Sequence, residues 1–344
     1  MTDIPNHALR LRRGLLLFTA FISSSALADH LGPSGVGGGG GASVFGPDTL
    51  DAGHWAAGLR LTYTRPEHRS DAELAALALQ DVDAHNTDYN LVGSLAVAYG
   101  INHHLTVSAE LPYIRRDHLR EGIADGVEQL GSVAGVGDMS LLAKYRLTDG
   151  AGFGFSLVGG LKVPTGSTHR RSPDGERLET EHQPGTGSWD PVIGASGSAP
   201  LGAVTLTASA LYQFSGKGAQ RTRLGDRMQG GIALSHRFGE PGHEHSETHN
   251  HHHGDELDEH HDAPRSSWDA FLELGGEWEG RQKIAGEVEQ ASGGKWLWLA
   301  PGVRFSWASQ WSAAAAVASP VYQRIRASHP DNGYRLTLAL GRAF

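Results

Sequence analysis

Ala203-Val204-Thr205-Leu206-Thr207-Ala208-Ser209-Ala210-Leu211-Tyr212-Gln213-Phe214-Ser215 is the stretch whose reading decides the fold. Val204, Leu206, Ala208, Ala210, Tyr212 and Phe214 share one parity. Thr205, Thr207, Ser209, Gln213 and Ser215 share the other, with Leu211 as the exception. Apolar and polar residues alternating with a period of two mark a half-buried strand, because successive side chains of a strand point to opposite faces. The same alternation runs through Leu105–Tyr113, Met139–Leu147 and Tyr334–Phe344.

About twelve such segments follow one another: 54–65, 86–101, 104–115, 135–147, 153–165, 186–199, 203–216, 228–238, 268–280, 295–307, 311–323 and 333–344. The segment at 186–199 alternates least. Each is long enough to cross a bilayer as a tilted strand. A soluble sandwich would bury the apolar face in its core. A membrane barrel turns that face to lipid and lines its lumen with the polar one. Aromatic residues near the segment ends (Trp55, Tyr63, Tyr89, Tyr99, Tyr113, Trp268, Trp278, Trp307 and Trp311) match interfacial girdles. Charges sit in mid-segment on the polar faces, and the chain ends on Phe344 within an alternating strand. Only a closed sheet leaves no edge in lipid. The expectation is an all-β protein: a closed antiparallel transmembrane β-barrel of about twelve strands with long extracellular loops.

The N-terminus reads as an export signal over 1–28. Arg10, Arg12 and Arg13 precede the apolar run Gly14–Ile22, and Ala26-Leu27-Ala28 forms a cleavage site. Residues 29–52 form a Gly-rich leader with five consecutive glycines at Gly37–Gly41. It reads either as a flexible leader before the first strand or as a lumen plug. Its one bulky residue, Phe45, gives a plug little with which to pack. The barrel proper is expected over 53–344. The expected location is the bacterial outer membrane.

Composition removes other classes. The 344 residues contain no Cys, which excludes a disulfide scaffold, cysteine metal sites and a cysteine nucleophile. A single short apolar run excludes a polytopic helical membrane protein. A net charge of −9 argues against nucleic acid as a partner. Outer-membrane lipid and a small-molecule or metal solute are the partners expected, and the sequence leaves the oligomeric state open.

Three phrases carry a family resemblance. They are Gly135-Val136-Gly137-Asp138 before Leu141-Leu142-Ala143-Lys144-Tyr145-Arg146, Leu161-Lys162-Val163-Pro164-Thr165-Gly166, and Pro184-Gly185-Thr186-Gly187-Ser188-Trp189-Asp190-Pro191. With them the chain, over about residues 50–344, resembles the outer-membrane transporter family associated with the meta-pathway of phenol degradation. The resemblance implies an outer-membrane β-barrel, with aromatic compounds as one candidate substrate, and supplies no catalytic residue.

Counting strands from a periplasmic start puts short turns after even strands and long loops after odd ones, as barrels do. The long connection 239–267 is the exception, being periplasmic by count. It carries His243, His245, His249, His251, His252, His253, His260 and His261 among acidic residues, 8 of the 20 histidines in the chain. Neutral imidazoles suit Zn²⁺, Cu²⁺ and Ni²⁺. The composition is that of a solvated tract, and a plain polar insertion is the alternative reading.

The favoured function is an outer-membrane channel or transporter for small solutes, aromatic or metal-linked, with a His-rich metal-binding loop. The expected lumen-lining residues are Arg60, Glu110, Lys144, Arg146, Lys162, Glu273, Glu277 and Arg304. Their mixed signs argue against strong ion selectivity. A metal-binding accessory without transport is the second reading. An outer-membrane hydrolase is the third, but no G-x-S-x-G elbow occurs. No enzyme and no required cofactor are expected.

Overall fold

A computed structural model describes residues 40–148, 152–238, 266–308 and 310–344. Twelve long strands form the barrel: β1 (Trp55–Pro66), β2 (Tyr89–Asn102), β3 (Leu105–Ile123), β4 (Gly126–Val136 continuing as Met139–Arg146), β5 (Gly154–Val163) and β6 (Asp190–Leu201). They continue as β7 (Val204–Gln213), β8 (Arg227–Phe238), β9 (Ser267–Glu279), β10 (Gly294–Trp307), β11 (Trp311–Ile325) and β12 (Asn332–Ala343). Each pairs antiparallel with its neighbours in sequence. Closure comes from β1 against β12, with Leu59 opposite Leu340 and Leu61 opposite Leu338. Trp55 and Phe344 exchange both backbone hydrogen bonds, at 3.3 and 2.8 Å. The sheet has no open edge, the condition for crossing a bilayer with strands.

The alternation becomes two surfaces. Leu59, Leu95, Val317 and Leu338 point outward and are more than half exposed, whereas Arg60, Ser94 and Thr337 on the neighbouring parity point inward and are buried. A belt of exposed leucine and valine is stable only against lipid. Aromatic pairs bound it at both ends. Trp55–Tyr99, Trp268–Phe305 and Trp307–Trp311 lie at the end holding Phe344, and Tyr63–Tyr89 and Tyr212–Trp278 at the other.

Two connections differ from the sequence expectation. Arg116–Ala134, expected as an extracellular loop between segments, is the upper part of a β3–β4 hairpin, paired up to Ile123 with Gly126. Above the membrane both faces of this hairpin meet water or protein, so no alternation reveals it. Its turn uses Gly126 at φ +142°, open to a glycine alone. The 67–88 connection contains a helix, α1 (Asp71–Ala78). Ser70 and Glu73 form its capping box, each side chain bonding the other's backbone N–H. The weakly patterned strand β6 carries apolar Val192 and the bare Gly194 on its inward parity beside Asp190 and Ser196, which blurs its alternation. A Cβ on Gly194 would stand 2.4 Å from the Ala210 carbonyl.

Residues 239–265 lie outside the described residues, and with them every histidine of the tract. Its flanks are Phe238 and Trp268, paired at the same end of the barrel as Phe344.

Candidate functional site: an occupied lumen

The lumen is not an open pore. Residues 40–50 run inside the barrel, and the inward charges hold them there. Glu273 accepts from Ser43 N at 3.0 Å, from Val44 N at 3.4 Å and from the Ser43 hydroxyl. Arg304 donates to the carbonyls of Gly41 and Gly40 at 3.2 and 3.5 Å. Lys144 Nζ donates to Gly46 O at 3.1 Å, and Arg146 lies 3.7 Å from Asp48. Toward the turns, Leu50 N donates to Thr106 Oγ1 at 2.8 Å. Cations take carbonyls and the carboxylate takes N–H groups, so a backbone without side chains still finds partners. A Cβ on Gly41 would fall 1.8 Å from a Glu273 oxygen, which makes the absence of a side chain there a packing requirement.

Phe45 corrects the expectation that it has little to pack on. It sits against buried Leu142, Val158, Val192 and Leu211. Leu211 was the one apolar residue on the polar parity of its strand. It points inward because an aromatic ring waits there. That break in alternation was the available signal for a lumenal segment.

The other expected lumen residues also point inward. Arg60 and Glu110 are buried in the wall. Glu277 pairs with Arg335 at 2.5 Å, and the Arg335 guanidinium stacks 4.3 Å from the Trp298 ring centroid. Lys162 does not face solute. Its ammonium lies 2.7 Å from Asp138 and 2.9 Å from Asp190, with all three side chains buried. Asp138 also accepts from Gly166 N and Thr186 N, and Asp190 from Gln213 and Gly216 N. The three phrases quoted above thus meet in one knot, each supplying a charge or a backbone donor. Gly185 and Gly166 touch there, a Cβ on Gly185 falling 2.4 Å from Gly166.

Between the inserted segment and the β9–β12 wall remains a cavity of about 30 Å³, room for one or two waters. Phe45, Trp298, Ala316 and Ala318 give it apolar walls, and Glu273 and Arg335 give it charge. A second space of about 20 Å³ continues past Arg304, Ala314 and Gly341. Both share Ala42, Ala316 and Thr337, so they lie along one path. Sequence reading missed Trp298 and Arg335. Trp296, Trp298 and Ala300 share the buried parity of β10.

A closed twelve-strand barrel with an apolar belt, aromatic girdles and a charged interior is an outer-membrane β-barrel protein. Residues 62–278, more than half of the chain, match the family described as Putative MetA-pathway of phenol degradation, and the chain belongs to that family. An outer membrane channel from Pseudomonas putida F1 has the same fold. It is 17% identical over 86% of this chain and 97% of its own, with a TM-score of 0.57. LpxR from Salmonella typhimurium (10% identity, 83% and 99% covered, TM-score 0.38) and the CymD monoaromatic hydrocarbon channel (9%, 86% and 88%, 0.36) are more distant. No curated protein matches the chain. Fold and family place it in the bacterial outer membrane.

Proposed function

We propose that the protein is an outer-membrane channel for small solutes with an aromatic or apolar part, closed at rest by residues 40–50, and that it carries no reaction of its own. One observation carries this reading. The segment in the lumen is held by separate hydrogen bonds and one partly buried ring, not by membership of the sheet. Each neutral hydrogen bond contributes about 1 kcal/mol net and each charge-assisted one about 1.5–3 kcal/mol. Such a set opens without unfolding the barrel. The cavity it partly fills offers Trp298, whose indole Nε1 lacks a protein partner, beside the Arg335 cation. A ring packing on Trp298 with a hydroxyl toward Nε1 fits that chemistry, and the family's description agrees with it.

Planar-bilayer recording tests the gate. Deleting residues 29–50 raises unit conductance several-fold over the full chain, because the wall charges then face water. Equal conductance in both proteins refutes closure by this segment. In the deleted protein, phenol-class solutes block the current, and Trp298→Ala weakens the block. A block unchanged by that substitution removes the aromatic preference.

The His-rich tract supports a second, separable proposal. Eight histidines between 243 and 261 are dense enough to capture Zn²⁺, Cu²⁺ or Ni²⁺ with little geometric selectivity. Binding falls as pH drops through about 6.5, where protons compete for the ligand nitrogens. Isothermal titration at two pH values reads this out. Affinity independent of pH between 5 and 8 argues for a polar loop without metal chemistry.

A further inference from the structure

Three external connections meet over the barrel mouth and bury a histidine cluster. His85 comes from the 67–88 connection, Glu181 and His182 from the one after β5, and His329 from the one after β11. One nitrogen from each of His85 and His182 and one oxygen of Glu181 lie within 4.8 Å of one another. The rings of His85 and His182 meet edge to face at 4.4 Å. His85 Nε2 is 2.7 Å from His329 Nδ1, and His329 Nε2 faces Glu181 at 3.7 Å. That contact couples the tautomers of the two rings. When His329 Nε2–H turns to the Glu181 carboxylate, His329 Nδ1 accepts from His85 Nε2–H. His85 Nδ1 is then an unprotonated lone pair, and it is a buried atom with no hydrogen-bond partner. Lone pairs left unpaired in a buried site are costly.

The surroundings are those of a cation site. Asp83 and Glu179 stand with Glu181 in an overlapping group of three carboxylates within 4.8 Å. Glu279 also bears on Glu181, and Arg69 and Arg116 bear on the histidines.

The scaffold is fixed in advance. His85 N donates to Ser328 O at 3.0 Å, tying the first and last connections together. Gln183 anchors the Thr180–His182 turn, donating to Arg170 O and Leu178 O and accepting from Arg170 N. Arg116 donates to the carbonyls of His182 and Gln183.

We propose that His85, Glu181 and His182 bind a divalent transition-metal ion of the Zn²⁺ class, with His329 as the positioning residue that orients His85. Two imidazoles and a carboxylate are a common zinc set, with one position left open. A ligating histidine whose second nitrogen is held by a further group is the usual outer arrangement. Donors about 2 Å from an ion sit no more than about 4 Å apart across it, so shifts of roughly half an ångström close the shell. The ion would join two external connections over the mouth, with His329 of a third holding His85 in place. This site shares no residue with the 243–261 tract, whose described flanks Phe238 and Trp268 pair at the opposite end of the barrel.

Zn²⁺ uptake by the full-length mature chain tests it, once all eight tract histidines are changed to Gln. Equilibrium dialysis should find one Zn²⁺ per chain. Adding His182→Ala should weaken binding at least ten-fold, while His169→Ala, in the same connection, should leave it unchanged. His329→Ala should weaken binding less than His182→Ala and should alter the d–d absorption of the Co²⁺ form. No uptake by the tract-free chain overturns the proposal. So does equal binding by His182→Ala. If His182→Ala loses heat-modifiable gel migration and has not folded, Glu181→Gln, nearly isosteric, takes its place under the same two criteria.

Discussion

Lys162→Met lowers the stability of the barrel by about 3–5 kcal/mol, the cost of removing one partner from a buried ion group. The ammonium is the only cation within salt-bridge distance of Asp138 and Asp190 among the described residues. Without it two carboxylates share a buried space, each keeping its backbone and side-chain donors but no opposite charge. The damage spreads because the knot joins strand to loop. Asp138 lies at the break in β4 and reaches Gly166 after β5 and Thr186 before β6. Urea unfolding in lipid vesicles gives the number. Asp138→Asn and Asp190→Asn added to Lys162→Met should recover much of the loss, since no charge then remains to be paired. If Lys162→Met unfolds within 1 kcal/mol of wild type, the triad is not the structural knot described.

That triad shows where sequence reading stops. Lys162 reads as a lumen charge because its parity is polar, and parity cannot tell a solute-facing ammonium from one sealed between aspartates. Asp138 and Asp190 lay in plain view within quoted phrases, but their meeting depends on three chain segments closing together. The strands were legible because lipid tolerates only an apolar face, which forces period two into the sequence. The β3–β4 hairpin above the membrane is free of that pressure. The run Arg116-Asp117-His118-Leu119-Arg120 there has no alternation to read. The inserted segment hid behind its glycines, and the inward apolar residues Leu142, Val158, Val192 and Leu211 were the trace of its Phe45 partner. His85, His182 and His329 are scattered through the chain, and single histidines in loops announce nothing until the barrel brings its ends together.

Ile232→Arg should cost about 2–4 kcal/mol, the penalty for a guanidinium on the lipid face near the midplane. Ile232 is outward-facing and 48% exposed, opposite Ala208 and Leu274. It stands between the Tyr212–Trp278 girdle and the Trp268–Phe238 end of its strand pair, so snorkelling to either interface is a long reach. One residue away and one strand over, Ser209 pairs with Gly231 and faces the cavity with Glu273. Ser209→Arg puts the same charge at nearly the same depth, but beside a carboxylate. It should keep most of the wild-type stability while loosening Phe45, whose N–H donates to the Ser209 hydroxyl. The two substitutions share size, charge and depth, and differ in which way the strand points them. Folding into vesicles followed by urea titration separates the cases. Equal losses would mean that the assigned faces, and with them the barrel's inside and outside, are not as the pairing register sets them.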